Sequence, residues 1–147
     1  IKLMLAKALS HSAKLLILDE PTSGLYPIFR KDMIKLIQEE LESGDKSAIF
    51  STHITQDLEH MADYITFINK GKLVFSESKE FIDENYKIIR GSKEMLDNTN
   101  IDFIKRKDER YFSEGIFIES GYKNSDNISK ATLEEILYYM GGETIND

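Results

Sequence analysis

Apolar and polar positions alternate with different periods along this chain, and the periods divide it into elements. Residues 1–10 carry Leu3, Leu5, Ala6 and Leu9 at mixed three- and four-residue spacing, which predicts a helix. Residues 15–18 are an unbroken apolar run ending in Asp19. A strand apolar on both faces belongs in a parallel sheet covered by helices. Residues 21–27 read as a loop, bounded by Pro21 and Pro27 and containing Gly24, with Pro27 placed to open the next helix. Met33, Ile34, Ile37 and Leu41 give that helix one apolar face, and Gly44 is its expected stop. Residues 47–51 predict a second short strand, and Thr55 a helix N-cap with Leu58 and Met61 inward. Residues 63–69 and 72–76 predict two strands joined by a tight turn at Lys70 and Gly71.

From 15 to 51 the order is strand, helix, strand, the pattern of an open α/β sheet. Past residue 86 the texture changes. Ile88–Ile89 and residues 115–118 read as short strands, 105–110 are nearly all charged, and 121–127 form a polar turn. Thr132 and Glu135 match a capping box, followed by an apolar stripe of Leu133, Ile136, Leu137 and Met140 that Gly141 and Gly142 end. The expected architecture is an α/β segment over 1–85 and a small α+β appendage over 86–147, with no internal repeat.

Composition narrows the chemistry. In 147 residues there is no cysteine, which removes disulfides, thiolate metal sites and cysteine nucleophiles. Three separated histidines are a poor zinc set. The net charge of -7 disfavours a phosphate backbone as partner, so no nucleic acid is expected. No apolar run reaches the roughly 20 residues of a membrane span. The chain opens on Ile1 in what reads as mid-helix, so a piece of a longer protein is expected.

The chemically informative stretch is 15–27, LLILDEPTSGLYP. A rigid apolar strand ending in Asp-Glu opens its carboxyl end onto the crevice where α/β sheets bind ligands. There one carboxylate can hold Mg²⁺ beside nucleotide phosphates and the next can orient an attacking water. A strand ending in solvated acids is the bland alternative for such a match by itself.

The seven residues DEPTSGL after that strand resemble the ATP-binding subunits of ABC transporters, and the resemblance continues in order. Ser51-Thr52-His53 follows the next strand, residues 1–11 are similar to the helix after the family's signature loop, and 64–77 to its closing strand pair. The likeness covers 1–85; the tail resembles, more loosely, the C-terminal extensions of exporter-type subunits. The fold implied is part of a P-loop NTPase (ABC ATPase) sheet with flanking helices. The resemblance implies that Asp19 binds Mg²⁺ through water, that Glu20 is the catalytic base or water-orienting carboxylate, and that His53 contacts the γ-phosphate. It makes Ser23, Gly24 and Leu25 the D-loop facing a partner subunit, although Gly24 also suits a turn. His11 and His60 have no such context and read as surface residues.

The chain departs from the family at Tyr26, where an aspartate that helps couple two nucleotide sites is usual. Neither a GxxxxGK motif followed by Ser or Thr nor the signature loop occurs. Gly71-Lys72 runs into Leu73, and Leu41-Glu42-Ser43-Gly44 ends a helix where the signature precedes one. The implied function is an ATP-hydrolysing subunit of an ABC transporter, of exporter type, inactive as this fragment alone. Its expected cofactors are ATP and Mg²⁺. Its expected partners are a transmembrane permease and a second ATPase subunit, at the cytoplasmic face of the membrane. The alternative is a soluble ABC-type ATPase of translation or DNA repair, whose relatives typically carry asparagine where Ser23-Gly24 stands.

Overall fold

The computed structural model describes residues 13–42, 44–119 and 126–141. The helix expected over 1–10 and most of the polar turn at 121–127 lie outside the described residues. The described residues are mixed α/β and fall into two compact units, divided between Ala62 and Asp63.

In the first unit, Leu15–Asp19 (β1) pairs in parallel with Ser47–Ser51 (β2), in the register Leu15↔Ser47 through Asp19↔Ser51. The helix Pro27–Leu41 (α1) makes the crossover. Proline at its first position has its φ preset and no N–H to leave unsatisfied, which is why the helix starts there. Its buried stripe of Met33, Ile34 and Ile37 packs with Leu18, Leu25, Leu41 and Met61. Full burial of such a side chain contributes about 1.5–3 kcal/mol. Gly44 follows in the left-handed region at φ +75°, with its N–H donating to the Leu41 carbonyl. Thr55–Met61 (α2) follows β2. Its N-cap is Ile54, and no side chain caps it; Thr55, expected as the cap, is its first helical residue. The Thr52 hydroxyl instead accepts from the Ile54 N–H, one residue before the helix.

The sequence expects β1 to be covered on both faces. Leu16 is buried, but Ile17 is 74% exposed and its register partner Ile49 is 61% exposed. Among the described residues, only one face of this two-stranded sheet is covered.

In the second unit, Tyr64–Asn69 (β3) and Lys72–Ser78 (β4) form the expected hairpin. Lys70 and Gly71 both take positive φ, 49° and 73°, as a tight hairpin turn requires. Lys79–Asn85 (α3) leads directly from β4 into Tyr86–Gly91 (β5). This continuity places the hairpin in the same compact unit as the residues that follow it. The division expected at residue 85 comes from the family resemblance, whereas the compact units divide between Ala62 and Asp63.

Lys93–Asp97 (α4), Lys105–Asp108 (β6), Ser113–Ile118 (β7), Ile128–Lys130 (β8) and Leu133–Gly141 (α5) complete the described residues. β6, β7, β5 and β8 form an antiparallel sheet in that order. Ile89, Phe117 and Ile128 pack with Leu96 of α4, joined by Met95, Ile101 and Phe103. The capping box of α5 is formed reciprocally: the Glu135 N–H donates to the Thr132 hydroxyl at 3.2 Å, and the Thr132 N–H to the Glu135 carboxylate at 2.7 Å. Arg90 on β5 bridges Glu114 on β7 and Glu135 on α5, and the Tyr139 hydroxyl donates to Glu114. Desolvation and the Glu114 carboxylate push the Tyr139 hydroxyl well above its ordinary pKa.

Candidate functional site

The carboxyl ends of β1 and β2 lie side by side because their register pairs Asp19 with Ser51. Ser51 binds both acids at the end of β1. Its hydroxyl donates to Asp19 Oδ1 at 2.5 Å and accepts from the Glu20 N–H at 3.0 Å. The same N–H lies 3.2 Å from the Ser51 carbonyl, so it is shared between the two oxygens.

Glu20 turns the chain. Its φ is +45°, a left-handed conformation uncommon for a residue with a Cβ and found where surrounding structure enforces it. Two overlapping turns follow, in which the Ser23 N–H donates to the Glu20 carbonyl and the Leu25 N–H to the Thr22 carbonyl. Gly24 lies at φ +70° in this loop, which satisfies its turn reading. Leu25 turns into the α1 core, while Ser23 is partly buried and Tyr26 is 76% exposed. Tyr26 also occupies the N-cap of α1, with no side-chain cap.

His53 stands two residues beyond β2, and its Nδ1 lies 2.9 Å from each Glu20 carboxylate oxygen. Only Oε1 makes hydrogen-bond geometry with it; Oε2 is buried and has no hydrogen-bond partner. The imidazole is 69% exposed on its side chain. Glu20 and His53 thus meet at the strand ends, and Asp19 is tied to the same place through Ser51. His60 is exposed on α2, its carbonyl accepting from Gln38; His11 lies outside the described residues.

Three further residues link the end of β1 and its loop to β2 and the segment after it, and the sequence gives none of them a role. Ser51 is one. The others are Thr22 and Asp57, both 1% exposed, whose hydroxyl and carboxylate are hydrogen-bonded to each other. The sequence carries a signal for Asp57. Ile54, Asp57, Leu58 and Met61 have the spacing of one helical face, so a carboxylate occupies an inward position.

The oxygen donors suit a hard cation held mainly through water. Among the described residues, no three His, Asp or Glu side chains converge as a metal cage. Asp19 is exposed at the strand end with one carboxylate oxygen committed to Ser51. Mg²⁺ is commonly held by one or two carboxylates, substrate phosphates and several waters, and Asp19 fits that role. Among the described residues, no helix is long and apolar enough to cross a membrane.

No family model matches the chain. Individual curated proteins do. It is 42% identical over 76 residues to the lantibiotic transport ATP-binding protein SrtF of Streptococcus pyogenes, covering 52% of this chain and 33% of that protein. It is 41% identical over 73 residues to the bacitracin transport ATP-binding protein BcrA of Bacillus licheniformis, covering 50% and 24%. It is 45% identical over 83 residues to the phosphate import ATP-binding protein PstB of Campylobacter jejuni, covering 56% and 33%. The chain spans about a quarter to a third of the length of these relatives. Over about half its own length, the chain therefore matches ABC transporter ATP-binding proteins as a fragment of an ABC nucleotide-binding domain does.

Proposed function

We propose that this chain supplies the hydrolysis half of an ATPase subunit that powers an ABC transporter. The observation carrying this reading is the Glu20–His53 contact, with Asp19 tied to Ser51 beside it, at adjacent ends of two parallel strands, in a chain similar to ABC ATP-binding proteins. In this reading 1–85 is the C-terminal half of the nucleotide-binding domain, with a partial P-loop sheet, and 86–147 is an extension.

Glu20 would accept a hydrogen bond from the attacking water and hold it in line with the terminal phosphate. His53 Nδ1 lies against this carboxylate and holds it at the strand ends. His53 would contact the γ-phosphate through Nε2, since Nδ1 faces Glu20. Asp19, fixed by Ser51, would hold Mg²⁺ through water, whose charge offsets that of the phosphate oxygens. Ser23, Gly24 and Leu25 would face a second ATPase subunit, and the closed pair would drive a transmembrane permease from the cytoplasmic side. The likeness of the tail to extensions of exporter-type subunits supports export.

The phosphate-cradling loop and its lysine do not occur in this sequence. Backbone N–H groups and a lysine supply most of the grip on the phosphates. The isolated chain is therefore expected to be inactive and to bind MgATP weakly, whereas the full-length protein binds it tightly. Calorimetric titration of both checks this. Micromolar affinity of the isolated chain for MgATP would contradict the division of labour proposed here.

A further inference from the structure

Two side-chain contacts join the loop after β1 to the segment after β2. Glu20 meets His53, and Thr22 meets Asp57. They differ in exposure. The Glu20–His53 contact is open to solvent on the histidine side, whereas Thr22 and Asp57 are each 1% exposed. Water competes for the first and is excluded from the second, so the second persists when the first opens to admit a ligand.

The contacts also close a ring. The Asp57 N–H donates to the Ile54 carbonyl at 3.0 Å, and the Ile54 N–H to the Thr52 hydroxyl at 3.0 Å. These bonds fix Asp57 to the turn that carries His53. Thr22 is two residues from Glu20, and the Leu25 N–H donates to its carbonyl. The Thr22–Asp57 bond thus sets the distance between the backbones bearing Glu20 and His53.

Asp57 is not an efficient stabilising residue. Its Oδ1 is buried without a hydrogen-bond partner, and among the described residues no cationic side chain pairs with it. A buried carboxylate so placed is a liability that an apolar pair of similar volume would avoid.

We propose that Asp57 is a positioning residue for ATP hydrolysis, acting through the Thr22 hydroxyl to hold Glu20 in register with His53. This rests on the reading of Glu20 and His53 as the hydrolysis site. Asp57 is buried behind Thr22, so its effect falls on turnover and not on the affinity for ATP.

The test uses the full-length protein and steady-state ATPase kinetics per ATP-binding site. Thr22→Ser keeps the hydroxyl and is expected to stay within about threefold of the wild-type kcat. Thr22→Ala is expected to lower kcat about tenfold or more, with KM for ATP changed by less than about twofold. Thr22→Val combined with Asp57→Leu removes both partners without orphaning either, which favours a folded protein. It is expected to show the same loss of kcat at unchanged KM. A merely structural contact would lower the unfolding midpoint and leave kcat per site intact. Wild-type kcat in the paired variant overturns the proposal, as does a raised KM with kcat unchanged. Glu20→Gln, assayed alongside, separates the two levels. If it loses turnover while the paired variant does not, only the role of Asp57 falls. If it keeps turnover, the site reading falls and the role of Asp57 with it.

Discussion

His53 Nδ1 lies 2.9 Å from the Glu20 carboxylate, although 33 residues separate the two in sequence. The contact follows from strand pairing. The register Asp19↔Ser51 brings the ends of β1 and β2 level, and Glu20 and His53 are the first and second residues beyond them. The left-handed turn at Glu20 and the Ser51 hydroxyl then fix the acid next to the ring.

Tyr26 is where the chain departs from the family's usual aspartate, and it occupies the N-cap of α1 without a side-chain cap. An aspartate there can accept from the free N–H groups of the first turn and interact favourably with the positive end of the helix. Tyr26→Asp is expected to stabilise the isolated chain by about 1 kcal/mol, read by denaturant unfolding. Unchanged stability, with altered cooperativity of ATP hydrolysis in the full-length protein, would place the tyrosine's effect across a dimer instead.

Among the described residues, one face of β1 and β2 is left open and presents Ile17 beside Ile49, register partners that are both well exposed. Apolar sheet surface of this kind favours pairing between copies. The isolated chain is expected to self-associate with rising concentration in light scattering. Ile17→Lys with Ile49→Glu is expected to shift it towards monomer, since the charges oppose burial and attract each other across the strands. A wild-type chain that stays monomeric at high concentration would contradict this.

Where local pattern and tertiary environment agree, the elements were legible. The stripe of Met33, Ile34 and Ile37 announced α1, the Lys70-Gly71 pair its hairpin, and Thr132 with Glu135 the start of α5. β6 was not legible because Lys105 to Asp108 carry charge at every position. An edge strand gains from charge, which discourages pairing with other chains, and so it loses the alternation that marks strands. The short helices α3 and α4 offer too few apolar residues for a period. Their N-caps, Ser78 and Ser92, accept from the N–H groups of Phe81 and Met95 and were the available signal. In the site, Asp19, Glu20 and His53 were singled out by motif; the structure pairs Glu20 with His53 and ties Asp19 to Ser51. Ser51, Thr22 and Asp57 act by contacts between distant segments, which spacing along the chain does not reveal.

The Arg90 cluster makes the second unit sensitive to acid. Burial raises the Glu135 carboxyl, but the Thr132 N–H, Arg90 and the Thr132 hydroxyl outweigh it and hold the group below its usual pKa. A carboxylate with a depressed folded pKa contributes stability that is present above its unfolded value, 4.5, and is lost as pH falls through the folded value. Unfolding midpoints of the chain are expected to fall below pH 4.5, and Glu135→Gln to lower stability at neutral pH by about 1 kcal/mol with a shallower acid loss. An equally steep acid loss in the variant would show that other carboxylates carry the effect.

The water-orienting role of Glu20 is the central claim, and single-site substitution in the full-length protein tests it most directly. Glu20→Gln keeps the shape of the side chain and removes the carboxylate, while His53→Ala removes the ring beside it. Steady-state ATPase rates are expected to fall about 10²-fold or more in Glu20→Gln, and comparably in His53→Ala, with ATP binding retained. A Glu20→Gln protein that keeps more than about a tenth of the wild-type rate would contradict the account.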